Sequence, residues 1–176
     1  KFKGQFMATG HPLIRKAQKK DLPVLNRLSK TIGNFEDAYF EACLLRGEKG
    51  ERDFYVALLD GRICGYVMLV WQPRYTPFRR LKIPEIQDLN DAPTHRRRGV
   101  GAALVTYCEN QARAKGSDTM GIAVGLHKSY GPAQRLYVRM GYVPDGAGVF
   151  YDNVPVEYGS MRPMDDAFTL KMTKDL

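Results

Sequence analysis

The sequence contains little cysteine and little histidine, and this scarcity limits the chemistry open to it. Its 176 residues include three cysteines, Cys43, Cys64 and Cys108, which lie far apart among apolar neighbours. Three separated cysteines do not form a disulfide framework, and isolated thiols of this kind are usually buried and reduced. The three histidines are also isolated, without a second ligand at the spacing of a metal site. We therefore expect neither disulfides nor a metal.

Long apolar runs are absent as well. No stretch approaches the roughly twenty apolar residues that a membrane-spanning helix requires, and the N-terminus lacks the apolar core of a secretory signal. These absences predict a cytoplasmic protein. A chain of this length suits one domain, which we expect over residues 12–176, after an N-terminal arm or cloning remnant over residues 1–11.

Positive charge is in excess, with 27 lysines and arginines against 19 acidic residues and a formal net charge of +8. The basic residues concentrate at three places, residues 16–20, 79–82 and 96–98. Such surfaces attract nucleic-acid backbones, but an anionic phosphate cofactor would require part of the same charge. Because no recognition-helix or RNA-binding pattern accompanies the clusters, nucleic-acid binding is the weaker of these two interpretations.

Hydrophobic periodicity predicts alternating strands and helices. The predicted strands cover residues 13–17, 54–59, 63–70, 86–91, 119–126, 149–151 and 168–172. A first predicted helix follows an N-cap at Asp21, and further helices cover residues 35–45 and about 99–115. A last helix carries Ala133, Leu136, Tyr137 and Met140 on one face and ends at Gly141. Asp60-Gly61 is a hairpin turn signal, whereas residues 71–82, with two prolines, predict a long surface loop. This order indicates a mixed α/β sheet of about seven strands with helices on both faces.

Residues 89–102, LNDAPTHRRRGVGA, carry the most chemical information. They join a strand to a helix through Gly99 and Gly101, and glycine permits backbone conformations and close approaches that a side chain would block. The first helical turn has N–H groups without internal partners, and the helix dipole adds positive charge there. A pyrophosphate could rest on the amides of residues 97–102 beside Arg96 or Arg98. A plain loop with solvated arginines is the alternative.

Two segments of the sequence resemble a known family. Arg96-x-x-Gly99-x-Gly101 after a strand is similar to the Q/R-x-x-G-x-G/A pyrophosphate loop of the GNAT family of N-acetyltransferases. Residues 130–142, YGPAQRLYVRMGY, resemble the N-x-x-A-x-x-L-Y-x-x-x-G-[FY] segment of the same family. Tyr130 departs from the asparagine that the family usually has there. The resemblance covers residues 12–176 and is specific between about residues 84 and 143.

The resemblance implies a GNAT-like fold and acetyl-CoA as cosubstrate. The implied sheet is mixed and mostly antiparallel, and it splays between its fourth and fifth strands so that pantetheine inserts like an extra strand. A β-bulge would be a natural cause of that splaying. The implied cofactor-binding residues are Leu89, Asn90, Asp91, Arg96, Arg97, Arg98, Gly99, Val100, Gly101, Ala102, Tyr130 and Ala133.

The resemblance also implies the catalytic residues. A lysine-like amine with a pKa near ~10.4 is mostly protonated at neutral pH, so acyl transfer needs a general base. Tyr137 matches the tyrosine that lies beside the thioester sulfur and serves as general acid. Glu85 lies at the register where the histone-acetyltransferase branch carries its glutamate, and Asp88 is the alternative base. Strand alternation puts these two carboxylates on opposite faces unless a bulge intervenes.

The predicted function is direct transfer of an acetyl group from acetyl-CoA to a primary amine of a small molecule or peptide. A non-catalytic module that binds or senses acyl-CoA is the alternative, since fold does not imply function. Residues Trp71, Tyr75, Phe78, Arg79 and Arg80 either line the acceptor entrance or pack their loop down. The resemblance is compatible with a homodimer, although the sequence does not indicate an interface.

Overall fold

The computed structural model describes residues 10–32 and 38–176, and these form a sheet of eight strands in the order β1-β2-β3-β4-β5-β8-β6-β7. Neighbouring strands are antiparallel, except that β4 and β5 are parallel. The prediction of a mixed, mostly antiparallel sheet is therefore confirmed. The strands are β1 (Leu13–Lys16), β2 (Arg52–Leu59), β3 (Arg62–Val70), β4 (Glu85–Asp91), β5 (Thr119–Gly125), β6 (Val143–Tyr151), β7 (Val154–Pro155) and β8 (Phe168–Asp175).

Helices cover both faces of this sheet, as predicted. The helices are α1 (Leu22–Ile32), α2 (Tyr39–Glu48), α3 (Thr76–Leu81), α4 (Val100–Ala114) and α5 (Gly131–Arg139). Helices α1 and α2 bury Leu25 and Phe40 on one face, whereas α4 and α5 bury Leu104 and Tyr137 on the other. Residues 35–37 of the predicted second helix lie outside the described residues. Among the helices that are described, none is both long and apolar enough to cross a bilayer.

The count of eight strands, against about seven expected, comes from the region after α5. Strand β6 begins at Val143, six residues before the predicted start, and a hairpin at Asp152-Asn153 then adds β7. Both turn residues have left-handed φ values, 46° and 64°, which is the geometry of a tight hairpin. The predicted turn at Asp60-Gly61, between β2 and β3, has the same left-handed geometry.

Two local predictions were wrong. The supposed loop over residues 71–82 contains helix α3, because Pro77 falls in its first turn, where a missing N–H is tolerated. Asp21 ends a 3₁₀ turn before α1 instead of capping the helix. Its carboxylate accepts the Gln18 N–H at 2.8 Å and pairs with both terminal nitrogens of Arg15 at 2.6 and 2.8 Å.

The sheet opens between its two parallel strands. Register pairs join β4 and β5 only at Glu85 with Gly121 and at Ile86 with Ile122, although β4 continues to Asp91. The predicted splay between the fourth and fifth strands is therefore confirmed. Its cause lies in β4, because Asp88 has a left-handed φ of 51° and the register with β3 shifts beside it. A bulge of this kind bends its strand, here away from β5.

Candidate functional site

The turn that enters α4 leaves Gly99 accessible. Gly99 has a φ of 78°, is exposed, and a Cβ built on it would meet no atom within 4 Å. Arg97 also adopts a left-handed φ, 62°, so the chain folds back sharply before the helix begins. Val100 is buried and anchors the first turn. The N–H groups of this turn lack partners inside the helix, and no described side chain lies within 4 Å of the position that a Gly99 Cβ would take.

Positive charge surrounds the same helix terminus. Arg96, Arg97 and Arg98 are all exposed. The Arg96 Nε atom lies 3.7 Å from Oδ1 of Asp91, the last residue of β4. Burial raises the pKa of Asp91, and Arg96 offsets part of that rise. The three exposed guanidinium groups and the helix dipole carry more positive charge than Asp91 offsets, which makes the turn suited to bind an anion.

Helix α5 approaches this terminus closely. A Cβ on Gly101 would lie 3.3 Å from the Leu136 side chain, so the missing side chain lets α5 pack against α4. Ala133, one turn earlier in α5, is half-buried against the same core cluster. The ring of Tyr130 lies directly over Gly125, and its hydroxyl donates to Asp166 at 2.6 Å. Tyr130, where the family usually has asparagine, therefore ties the end of β5 to the segment before β8.

The splay exposes a strand edge next to the α4 terminus. Leu89, Asn90 and Asp91 continue β4 beside β3 after the pairing with β5 has stopped at Ile86. In the described structure, the edge that faces β5 is unpaired over residues 87–91. An extended chain with amide groups can hydrogen-bond to such an edge as an added strand does. The pantetheine arm of coenzyme A has this chemistry, and its pyrophosphate would then reach the helix terminus.

Tyr137 lies on the α5 side of the opening. It is 5% exposed and belongs to the apolar cluster that contains Ile86 and contacts Leu89 of β4. Gln134, one turn earlier, donates from Nε2 to the Gly125 carbonyl at 2.8 Å and so fixes α5 to the end of β5. Burial raises the pKa of Tyr137 well above its ordinary value. The phenol is therefore neutral at physiological pH and has a proton to donate.

Glu85 is part of a buried ion pair. The residue is 0% exposed, and its Oε1 atom accepts from Lys171 Nζ at 2.8 Å. Its Oε2 atom accepts from the Gln87 amide at 2.7 Å. Lys171, a β8 residue with a 4% exposed side chain, also donates to Asn153 at 2.9 Å. Both oxygens of the first predicted base are thus occupied by side-chain donors.

Asp88 lies in a different environment, on the bulge itself. The Tyr39 hydroxyl of α2 donates to its Oδ2 atom, so the bulge turns this carboxylate toward the face that α2 covers. Glu85 and Gln87 share that face, and the bulge therefore overrides the alternation that separates residues three apart. Burial raises the pKa of Asp88, and the Tyr39 hydrogen bond and the Arg52 charge lower it by less.

The aromatic residues after β3 mainly pack their segment down. Tyr75 and Phe78 are buried against Phe150, and the Phe78 ring covers Gly121. Trp71 donates to Asp53 at 2.9 Å and lies under the Lys115 ammonium, at the end of α4 away from the arginine-rich turn. Arg79 and Arg80 are exposed on α3.

Comparison with known sequences identifies the family. The sequence model described as the acetyltransferase (GNAT) family matches residues 19–142, more than half of the chain. The chain belongs to the GNAT acetyltransferase family. It is accordingly an acyltransferase that depends on acetyl-CoA as its cosubstrate, and the anion site and splayed edge fit that cosubstrate. No curated protein sequence matches the chain significantly.

Solved structures share the fold over most of their length. Ribosomal-protein-alanine N-acetyltransferase from Brucella melitensis is 19% identical, with a TM-score of 0.68 over 93% of this chain and 99% of that one. The yncA protein from Salmonella typhimurium, solved with its cofactor acetyl-CoA, is 16% identical, with a TM-score of 0.67 over 94% of each chain. Ard1 from Thermoplasma volcanium is 19% identical, with a TM-score of 0.68 over 94% and 97%.

The double variant Arg96→Gln/Arg98→Gln should bind acetyl-CoA at least about tenfold more weakly, because charge-assisted hydrogen bonds to a phosphate are stronger than neutral ones. Isothermal titration calorimetry measures this affinity. Arg113→Gln is the matched control, since it removes an exposed arginine from the last turn of the same helix. Equal losses in the two proteins, or no loss in the double variant, would argue against pyrophosphate binding at the arginine-rich turn.

Proposed function

We propose that this protein transfers the acetyl group of acetyl-CoA directly to the primary amine of a small-molecule or peptide acceptor, with Asp88 as general base and Tyr137 as general acid. The observation that carries the proposal is the bulge at Asp88. It presents a desolvated carboxylate at the point where β4 leaves β5, and the phenol of Tyr137 lies in the cluster that packs against the same stretch of β4.

The two ends of acetyl-CoA have separate binding elements in this proposal. The amides of residues 97–102 and the side chains of Arg96 and Arg98 bind the pyrophosphate. The unpaired edge of Leu89–Asp91 binds the pantetheine, and Ala133 and Tyr130 border its path from the α5 side. Binding in this manner holds the thioester beside the bulge, and a fixed geometry of donor and acceptor supplies a large part of the rate acceleration.

Asp88 is the better base of the two predicted carboxylates because Glu85 already accepts from Lys171 and Gln87. In residues 10–32 and 38–176, the structure shows a partner for Oδ2 of Asp88 but none for Oδ1. A base with a raised pKa also accepts a proton more readily than an ordinary aspartate. We assign Glu85 to positioning, since its ion pair with Lys171 joins β4 to β8 across β5.

The amine enters the step in its neutral form, after its ammonium form has released a proton to solvent. Its lone pair attacks the thioester carbonyl, and one of its protons passes to Asp88, directly or through water. The carbon–sulfur bond then breaks, the acetyl group stays on nitrogen, and Tyr137 donates its proton to the departing thiolate. Solvent finally takes the proton from Asp88 and returns one to Tyr137, so both side chains regain their starting state. Burial disfavours both the phenolate and the thiolate anion, so it raises both pKa values and keeps the proton transfer within reach.

A non-catalytic module would need the arginine-rich turn and the strand edge but neither acid nor base. The buried phenol of Tyr137 and the bulge-borne carboxylate of Asp88 therefore favour the enzyme. Release of free coenzyme A in the presence of a panel of amines, with none released in their absence, is the experiment that tests the activity itself.

Tyr137→Phe removes the proposed acid and keeps the ring that packs in the core. We expect kcat to fall by about 10²-fold or more, the usual contribution of a positioned acid, while acetyl-CoA affinity stays native. Stopped assays of thiol release and calorimetry measure the two quantities. Unchanged kcat with native affinity would exclude the role.

Asp88→Asn should lower kcat and abolish the acidic limb of its pH profile, whereas Glu85→Gln should retain that limb. Burial raises the pKa of Asp88 above the ~3.9 of an ordinary aspartate. Wild-type activity should therefore be lost as the pH falls through this raised pKa, because Asp88 becomes protonated and can no longer act as a base. The profile is measured at saturating acetyl-CoA and acceptor. An acidic limb that persists in Asp88→Asn but disappears in Glu85→Gln would assign the base to Glu85 instead.

A further inference from the structure

A cavity of about 360 Å³ opens on the face that α2 covers, next to the N-terminal half of β4. Arg46, Arg52 and Arg74 line it together with Gln87, and the acidic residue in its lining is Glu51. Among the described lining residues, three guanidinium groups therefore accompany one carboxylate. The volume lies within the range of small-molecule sites, about 300–1,000 Å³.

Arg52 is the most informative residue of this lining. Its Nη1 atom donates to two sulfur atoms, Met68 Sδ at 3.4 Å and Cys43 Sγ at 3.9 Å, and to no oxygen of a described residue. Its Nε atom is buried and has no hydrogen-bond partner among the residues that the structure describes. Buried donors of this kind are rare and call for an explanation. A guanidinium that finds only soft acceptors is suited to receive an oxyanion from a ligand.

Arg74 adds a second guanidinium, which can leave its present partner for a ligand. It pairs with Asp152 at 3.3 Å, but both side chains are largely exposed, 75% and 60%. Exposed pairs of this kind are weak, so a carboxylate in the cavity can compete with Asp152 for Arg74. Arg46, on the last turn of α2, is exposed and extends the same positive surface.

The cavity adjoins the proposed base. Gln87 lines it and is followed directly by Asp88, whose carboxylate lies in the field of Arg52. The unpaired edge proposed for pantetheine runs the other way along β4, from the bulge toward Asp91 and the arginine-rich turn. The two cosubstrates would thus approach the bulge from opposite ends of one strand, and the acceptor would come from the arginine-lined end.

We propose that the acceptor is a small amino acid, whose carboxylate binds to Arg52 and Arg74 in this cavity while its amine reaches Asp88. The inference rests on the proposed function and narrows its acceptor to amines that carry a carboxylate. Neutral amines lack the group that the cavity recognises. Polyamines, which are cationic, would meet repulsion from the three guanidinium groups.

The test compares amino acids with their amides. Glycine, β-alanine and 4-aminobutyrate vary the distance from amine to carboxylate, and each amide differs from its acid only at the carboxylate. For the best spacing we expect kcat/KM for the acid to exceed that for the amide at least about tenfold, as for a hydrogen-bonded charge. In Arg52→Gln and Arg74→Gln this ratio of kcat/KM values should fall toward one, mainly because KM for the acid rises. Comparing ratios between proteins cancels the effect of amidation on the amine pKa.

Arg79→Gln is the matched control, because Arg79 is exposed on α3 and does not line the cavity. In this control, the ratio of kcat/KM for the acid to kcat/KM for the amide should equal that of the wild type. The inference would be overturned if the wild type used acids and amides with kcat/KM values within about twofold of each other. It would also be overturned if neither cavity variant changed the ratio. Either result would leave acetyl transfer itself intact. Absence of coenzyme A release with every amine, neutral and acidic, would instead contradict the proposed function.

Discussion

The bulge at Asp88 is the constraint on which the rest of the site depends. β4 is paired on both sides at Glu85 and Ile86, and it leaves β5 as soon as the bulge bends it. A closed sheet would satisfy every backbone group of β4 internally. The open sheet instead presents one strand edge beside the α4 terminus and turns one carboxylate toward α2. One irregular residue thus creates both the space for a cosubstrate and the proposed base.

Two glycines of β5, the strand on the other side of the opening, let aromatic rings pack directly against the strand. Gly121 and Gly125 lie on the face that Phe78 and Tyr130 cover, and a Cβ at either position would fall within 2.5 Å of those rings. The rings therefore lie directly on the strand at its two ends. Between them, Lys171 and Glu85 form a buried pair that joins strands from the two halves of the sheet. A pair of this kind costs desolvation and tends to fix register.

The sequence predicted the local features of the site more completely than the distant contacts. The arginine-rich turn, α4 and α5 follow from short patterns, because helix termini and glycine positions depend on neighbouring residues. The splay was expected from the family resemblance alone. The contacts of Lys171 and Gln87 with Glu85 have no sequence motif. Lys171 lies 86 residues from Glu85, and only the register of β4, β5 and β8 brings the two together.

The errors in secondary structure have a similar origin. Residues 71–82 contain two prolines, which predict a loop, but Pro73 lies before helix α3 and Pro77 falls in its first turn, where proline is tolerated. Strand β6 begins earlier than predicted because Val143 and Pro144 also pair with β8, whereas Gly146 and Gly148 weaken the strand pattern in the sequence and lie where the register with β8 shifts. No sequence pattern distinguishes Arg52 from other surface arginines, because its Nε donor is buried only when α2 packs on β2.

A crystal structure with bound coenzyme A tests the central claim most directly. The account predicts the pyrophosphate on the amides at the start of α4, the pantetheine hydrogen-bonded to the free edge of β4, and the sulfur between Tyr137 and the bulge. Coenzyme A bound elsewhere, or a β4 that closes onto β5 when the ligand is present, would contradict it.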